Sequence, residues 1–232
     1  MAEMKVLSAG AVKSGVSKLA KAYANERDAE VKVEFATAPE VRRRMSAGEE
    51  VDVVVAPPGV MDDLAKAGII VPESRSFLGR SRMGIVAHAQ AAVREVLDVN
   101  ALKRMLSSAT AVVHNKASSG AYAAKLLQDL GLAETLASRV VVVDSGAGVM
   151  EYVGSNAPGA VGLAQISEIR VIVAQAHLPV RFVGPLPDAV QNVTSYEAAA
   201  VAGRDEEAAA KALASYMATP DAKVVFATTG ID

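Results

Sequence analysis

The sequence predicts an α/β protein, and three observations carry that prediction. Short β-branched runs alternate with helix-period segments from end to end, the pattern of parallel α/β units. Several of the strand ends pass into small, polar or Gly-rich loops that open the next helix. Composition permits a packed core: 51% of the 232 residues are apolar, drawn from Ala, Val, Leu and Ile with only 4% aromatics and no Trp. A chain of this length exceeds one minimal domain and falls short of two full ones, which suits a single unit of two lobes.

Taken in order, strands are expected at residues 5–7, 31–35, 51–56, 83–87, 111–113, 140–143, 160–164, 181–183 and 197–201. Val16, Leu19, Ala20 and Tyr23 fall at i, i+3, i+4 and i+7, the spacing of an amphipathic helix. Ala123, Leu126, Leu127 and Leu130 repeat it, with Gly131 placed to end the helix. Thr37 with Glu40 three residues on has the form of a capping box, ahead of Val41 and Met45 and a stop at Gly48. The Ala-rich stretch 206–217 reads as a late helix ending before Thr219-Pro220.

Charge and cysteine content exclude several function classes. A formal net charge of −2 argues against a nucleic-acid platform, though it leaves room for local basic clusters. With no cysteine there is no disulfide, thiolate zinc site or Cys nucleophile. Apolar runs such as Val140–Val143 are far too short for a membrane span, so no membrane insertion is expected. The opening MAEMKVLSAG enters the first strand almost directly, with no secretory h-region. The expectation is a periplasmic protein if an export signal has been removed, and a cytoplasmic one if the chain is native from Met1.

Four loops share one chemistry. They are Ser8-Ala9-Gly10-Ala11-Val12-Lys13-Ser14-Gly15, Ala36-Thr37-Ala38-Pro39-Glu40, His114-Asn115-Lys116-Ala117-Ser118-Ser119-Gly120, and Asp144-Ser145-Gly146-Ala147-Gly148. In an open parallel sheet ligands bind outside the carboxyl ends of the strands. Helix N-termini there present N–H donors and a positive dipole end to an anion. Any one such loop reads first as an ordinary cap or turn; four in one chain raise the anion-site reading beside it. Lys13 and Lys116 lie inside two of them, where they add charge to a ligand site or remain solvated. Arg42-Arg43-Arg44 reads as the exposed face of its helix, with Val41 and Met45 on the buried side.

The segments KVLSAGAVKSGVSKLAKAY, VEFATAPEVRRRMSAGEEVDVVVAPPGVMDDLAKAG, SSGAYAAKLLQDLGLAETL and GAVGLAQISEI together resemble the successive blocks of the molybdate-binding-protein family, the substrate-binding components of ABC transporters. The most specific stretch is AGEEVDVVVAPPGVMDDLAKAGII, with Asp52 ahead of a hydrophobic strand. The resemblance implies a type II periplasmic-binding-protein-like fold: two lobes with mixed, mainly parallel sheets joined by a two-crossing hinge near residues 78–84 and 190–196. Lobe I would hold residues 1–80 and 195–232, and lobe II residues 81–194. It also implies a monomer that closes on a small anion, delivers it to a transporter permease and uses no cofactor.

The same resemblance places the ligand against Ala9, Gly10, Ala11 and Lys13, against Thr37, Ala38 and Pro39, against Lys116, Ser118, Ser119 and Gly120, and against Gly146, Gly148 and Gln165. The family holds a tetrahedral oxyanion with a Ser in the first loop, a Ser in the second and often a later Tyr. Ala11, Ala38-Pro39 and Gln165 stand at those places here, while Ser8, Ser14, Thr37, Ser118 and Ser145 offer hydroxyls from shifted ones. Each lost donor to a buried anion costs roughly 1–3 kcal/mol, so the ligand is a molybdate- or tungstate-like oxyanion only if Lys13, Lys116 and Gln165 replace the missing bonds; otherwise a carboxylate fits better.

Enzyme motifs are mostly absent: there is no G-x-x-x-x-G-K-[ST], H-E-x-x-H or G-x-S-x-G, and Gly146-x-Gly148 lacks the rest of a dinucleotide fingerprint. A binder, not an enzyme, is the expectation. The alternative is isomerisation of an unsaturated tricarboxylate such as aconitate, an activity that proteins similar to this family carry on the same fold; Lys13, His114, Lys116 and Glu151 are its titratable candidates. A cytosolic ligand sensor is a third class, since LysR-type regulators carry an effector domain of similar fold; no helix-turn-helix precedes residue 5.

Overall fold

The computed structural model describes residues 3–156 and 158–232, and divides the chain into two compact units, Met1–Arg80 with Thr194–Asp232, and Ser81–Val193. The chain passes between them twice.

In the first unit the order is β1 (Glu3–Ala9), α1 (Lys13–Arg27), β2 (Glu30–Ala36), α2 (Ala38–Ser46), β3 (Val53–Ala56), α3 (Pro58–Lys66) and the start of β4 (Ser76–His88). The second unit continues with the rest of β4, then α4 (Val99–Ser108), β5 (Ala111–Asn115), α5 (Ser118–Asp129), α6 (Ala133–Leu136), β6 (Val140–Val143), α7 (Gly146–Ser155), β7 (Ala160–Gln165), α8 (Ile166–Gln175) and β8 (Val180–Pro185). The chain returns to the first unit along β9 (Val193–Ala200) and ends with α9 (Glu207–Tyr216) and α10 (Pro220–Ala227). Each of the expected strands is present.

The sheet of the first unit has the order β2-β1-β3-β9, with β1 parallel to β2 and β3, and β9 antiparallel to β3. In the second unit β7, β5 and β6 lie side by side and parallel, and β4 runs antiparallel to both β7 and β8. Both sheets are therefore mixed. Helices cover both faces of each, which is why β3, with the sequence VVVA, is buried along its whole length. Edge strand β2 alternates instead, Val31, Val33 and Phe35 turning toward the core between exposed charges.

Apolar spacing is converted into packing as expected. Val16, Leu19, Ala20 and Tyr23 are buried on α1, and Ala123, Leu126 and Leu127 on α5. Gly131 takes φ +68° behind α5, where its N–H bonds the Gln128 carbonyl at 2.9 Å and the Leu132 N–H bonds Leu127 at 2.8 Å. Gly48 likewise has φ +83° behind α2. Every hydrophobic cluster belongs to a single unit, so each unit has a core of its own on each face of its sheet.

The capping box at Thr37 does not form. Thr37 is the N-cap residue of α2 but makes no side-chain cap bond. The Glu40 carboxylate turns forward instead and accepts from Nε and Nη2 of Arg43 at 2.8 and 2.7 Å. A charge-assisted pair on the exposed face outcompetes the backbone N–H for the same oxygens. Arg42 pairs with Asp63 at 2.8 Å, and Arg44 with Glu34 and Glu49. Val41 and Met45 are buried behind this arginine face.

Asp52 ties the first unit together below β3: it accepts from the Lys5 N–H at 2.7 Å and from Arg204 Nε at 3.3 Å. Among the described residues no helix is long and apolar enough to cross a membrane, and no group of three or more His, Asp or Glu is placed to hold a metal ion.

Candidate functional site

In the first unit, β1 passes into a 3-10 turn, Gly10–Val12, with Ala9 at its N-cap, and α1 follows without a break. Ala9 is buried, and Gly10 and Ala11 are half-buried at the head of this double helix. The buried Ser8 hydroxyl donates to its neighbour, the Ala9 carbonyl, at 3.2 Å. Lys13 is exposed, its Nζ 5.3 Å from the centre of the Phe35 ring at the end of β2, a distance at which cation and ring attract. Gly15, the last residue of the first loop, serves packing: a Cβ there would fall 2.3 Å from Cδ1 of Phe226 on α10.

The second loop supplies Thr37 at the N-cap of α2, buried Ala38 and exposed Pro39. Pro39 has no N–H, which removes one of the donors a helix head ordinarily offers. β3 is followed by Pro57 at the N-cap of α3 and Pro58 at its first position, which remove two more N–H groups at that helix head.

The second unit is richer in donors. Strands β7, β5 and β6 are neighbours and parallel, and α8, α5 and α7 start directly after them, so three helix N-termini share one edge of the sheet. Asn115 organises the middle one. Its Oδ1 accepts from the Ala117 N–H at 2.9 Å, the Gly120 N–H at 3.2 Å and the Ser119 hydroxyl at 3.3 Å, doing the capping that Ala117, the residue at the N-cap, has no side chain to do. Gly120 is imposed by this turn, because a Cβ would lie 1.6 Å from the Asn115 carbonyl oxygen.

Several of the expected ligand donors are thus committed within the protein. The Gly120 N–H belongs to Asn115, and the Gly148 N–H donates to Ser145 Oγ at 3.1 Å. Lys116 is exposed and bridges to Asp144 at 2.7 Å, which holds the Asp144 carboxyl below its usual range. Ser118 and Ser119 at the head of α5, and Gly146 and Ala147 at the head of α7, keep first-turn N–H groups with no acceptor one turn back. Gln165 is buried at the N-cap of α8. His114 is buried, its Nδ1 3.1 Å from the Asn115 carbonyl oxygen, and Glu151 is exposed on α7.

One residue of this site was not singled out by the sequence. Glu168, in the first turn of α8, brings its carboxyl group against the head of α7: a Cβ on Gly146 would lie 2.1 Å from Oε2 and 2.2 Å from Oε1 and Cδ. Burial pushes this carboxyl up to about 7, opposed by a hydrogen bond from the Gln165 backbone N–H. The signal that points to it is its place three residues after the N-cap Gln165, where an acidic side chain folds back on its own helix head.

Comparison with known proteins agrees with this architecture. The periplasmic molybdate-binding protein of Azotobacter vinelandii superposes with a TM-score of 0.82 over 99% of both chains at 20% identity. The sulfate-binding protein of Mycobacterium tuberculosis H37Rv gives 0.80 over 100% of this chain and 86% of that one at 17% identity. The fold is accordingly α/β of the type II periplasmic-binding-protein kind. In sequence, an aconitate isomerase of Pseudomonas sp. is 26% identical over 238 residues, covering 98% of this chain and 87% of the relative. The family model of the bacterial extracellular solute-binding proteins matches residues 4–232, and the chain belongs to that family.

Proposed function

We propose that this protein binds a small organic anion, a di- or tricarboxylate, at the helix heads that follow its parallel strands. The observation that carries the reading is the convergence of the α5, α7 and α8 N-termini on one sheet edge, with first-turn N–H groups of Ser118, Ser119, Gly146 and Ala147 left to donate. Carboxylate is favoured over molybdate or tungstate because Ala11, Pro39 and Gln165 stand where hydroxyl donors would grip a compact oxyanion. Isothermal titration with molybdate, tungstate, sulfate and a panel of di- and tricarboxylates tests this. Heat from a carboxylate and none from molybdate is expected; tight molybdate binding alone overturns the choice of ligand.

The reading extends to transport, with the two units closing on the anion about the chain crossings and handing it to a transporter permease from the periplasmic side. Small-angle scattering should show compaction at saturating ligand, and an unchanged profile removes the closure.

A second reading, isomerisation of an unsaturated tricarboxylate, is favoured by the aconitate isomerase relative and by Glu168, a carboxyl that titrates near neutrality beside the donor set. A shift of an allylic proton needs a group that both takes and returns it near pH 7. Glu168 suits that role better than exposed Lys13 and Glu151 or the paired Lys116. The ultraviolet change on mixing the protein with cis- or trans-aconitate is the assay, and no turnover with either leaves binding alone.

A further inference from the structure

Glu168 sits where an anion is best received. Its carboxyl presses on Gly146, the first residue of α7, and takes the Gln165 N–H at the head of α8. An anion on the Gly146 and Ala147 N–H groups would therefore be a near neighbour of this carboxylate. Two negative charges that close repel each other, and a like charge within about 4–6 Å disfavours the ionised form of the half-buried Glu168 carboxylate.

We infer that anion binding at the head of α7 is coupled to the uptake of one proton, and that Glu168 is the residue that carries it. The proposal rests on the anion-binding reading above. The step is an acid–base one: the Glu168 carboxylate forms one O–H bond with a proton supplied by water or buffer as the anion arrives, and releases it as the anion leaves. In the protonated form the group becomes a donor, able to hydrogen-bond a ligand oxygen instead of repelling it.

The surroundings single out Glu168 for this role. Asp144, in the loop before α7, and Lys116, in the loop before α5, neutralise each other at 2.7 Å; Glu151 is exposed further along α7. On α8, Arg170 lies over the Phe182 ring at 6.0 Å, and on β8 Arg181 donates to the Ala91 carbonyl at 3.1 Å and to that of Val93. None of these charges contributes to the raised proton affinity of Glu168, which comes from burial against the Gln165 hydrogen bond. A site already balanced near neutrality needs only a modest push to change its charge.

The test is titration calorimetry of the full chain with trans-aconitate and with fumarate, both ionised at pH 8 and fumarate also at pH 5.5, in two buffers of different protonation enthalpy. Proton uptake approaching one per anion is expected at pH 8 and, for fumarate, close to none at pH 5.5, with affinity falling up to about tenfold per pH unit above neutrality. Glu168→Gln should bind with no uptake and a flat pH profile. Heat without proton uptake, or uptake that persists in E168Q, overturns the proposal alone; no heat with any anion of the wider panel removes the anion-binding reading and the proposal with it. Should E168Q fail to fold, the carboxyl 13C signal of Glu168 in the wild-type chain decides: its titration should move to higher pH when the anion is added, and an unmoved titration overturns the coupling.

Discussion

Gly146 and Glu168 depend on each other. The absence of a side chain at Gly146 makes room for the carboxyl group, and a Cβ would overlap three of its atoms. Gly146→Ala is expected to destabilise by roughly 1–3 kcal/mol, the usual cost of overpacking. Most of that loss should vanish in a Glu168→Ala background, which a double-mutant cycle of urea denaturations measures. Glu168 also sets a pH dependence of stability. Its folded pKa, about 7, lies above the ordinary glutamate value of 4.5, so between those values the folded chain holds a proton that the unfolded chain has released. Stability from this group is full below about pH 4.5 and is lost as the pH rises from there to about 7, by up to roughly 3 kcal/mol in all. Glu168→Gln should flatten that slope and be the more stable form at pH 8, in denaturation curves taken from pH 5 to 8. Gly15 is a packing glycine of the same sort, and Gly15→Ala should destabilise through its collision with Phe226, with partial rescue by Phe226→Leu.

At the scale of the element, helix heads divide into those whose cap is readable and those whose cap is not. Asp98, Ser145 and Thr219 each cap their own helices, accepting from Ala101, Gly148 and Ala222 respectively, as residue type and spacing lead one to expect. Asn115 caps α5 from two residues before the N-cap, a job visible only once β5 has ended beneath it. Asn115→Ala should cost about 1–2 kcal/mol and weaken anion binding in parallel, because α5 loses the acceptor that orients its first turn; chemical denaturation and calorimetry together check this. The strands were legible because β-branched runs and burial coincide; β4, at Ser76–His88, extends well before its apolar stretch at 83–87 because its first half alternates with exposed Phe77, Arg80 and Arg82. The helix Val99–Ser108 carried a readable start in Asp98, while the Thr37-to-Glu40 signal misled because Arg43 took the carboxylate.

For the whole molecule, the core clusters fall within one unit or the other, and the second unit is continuous in sequence. Residues 81–193 expressed alone are therefore expected to unfold cooperatively, with β8, β4, β7, β5 and β6 forming a complete sheet; circular dichroism on urea titration is the check, and a non-cooperative transition would show that the first unit is required. Apolar periodicity and loop composition by themselves determined the α/β class, the strand positions and the existence of helix heads rich in small residues, because these depend on neighbours a few positions apart. Which of those heads keep donors for a ligand was decided only in three dimensions. The N–H groups of Gly120 and Gly148 are taken by Asn115 and Ser145, while Glu168 is carried by the end of β7 to the head of a helix that precedes it by some twenty residues. Burial and through-space contact set the proton affinity of that carboxyl, and neither quantity is written in the spacing of residues along a chain.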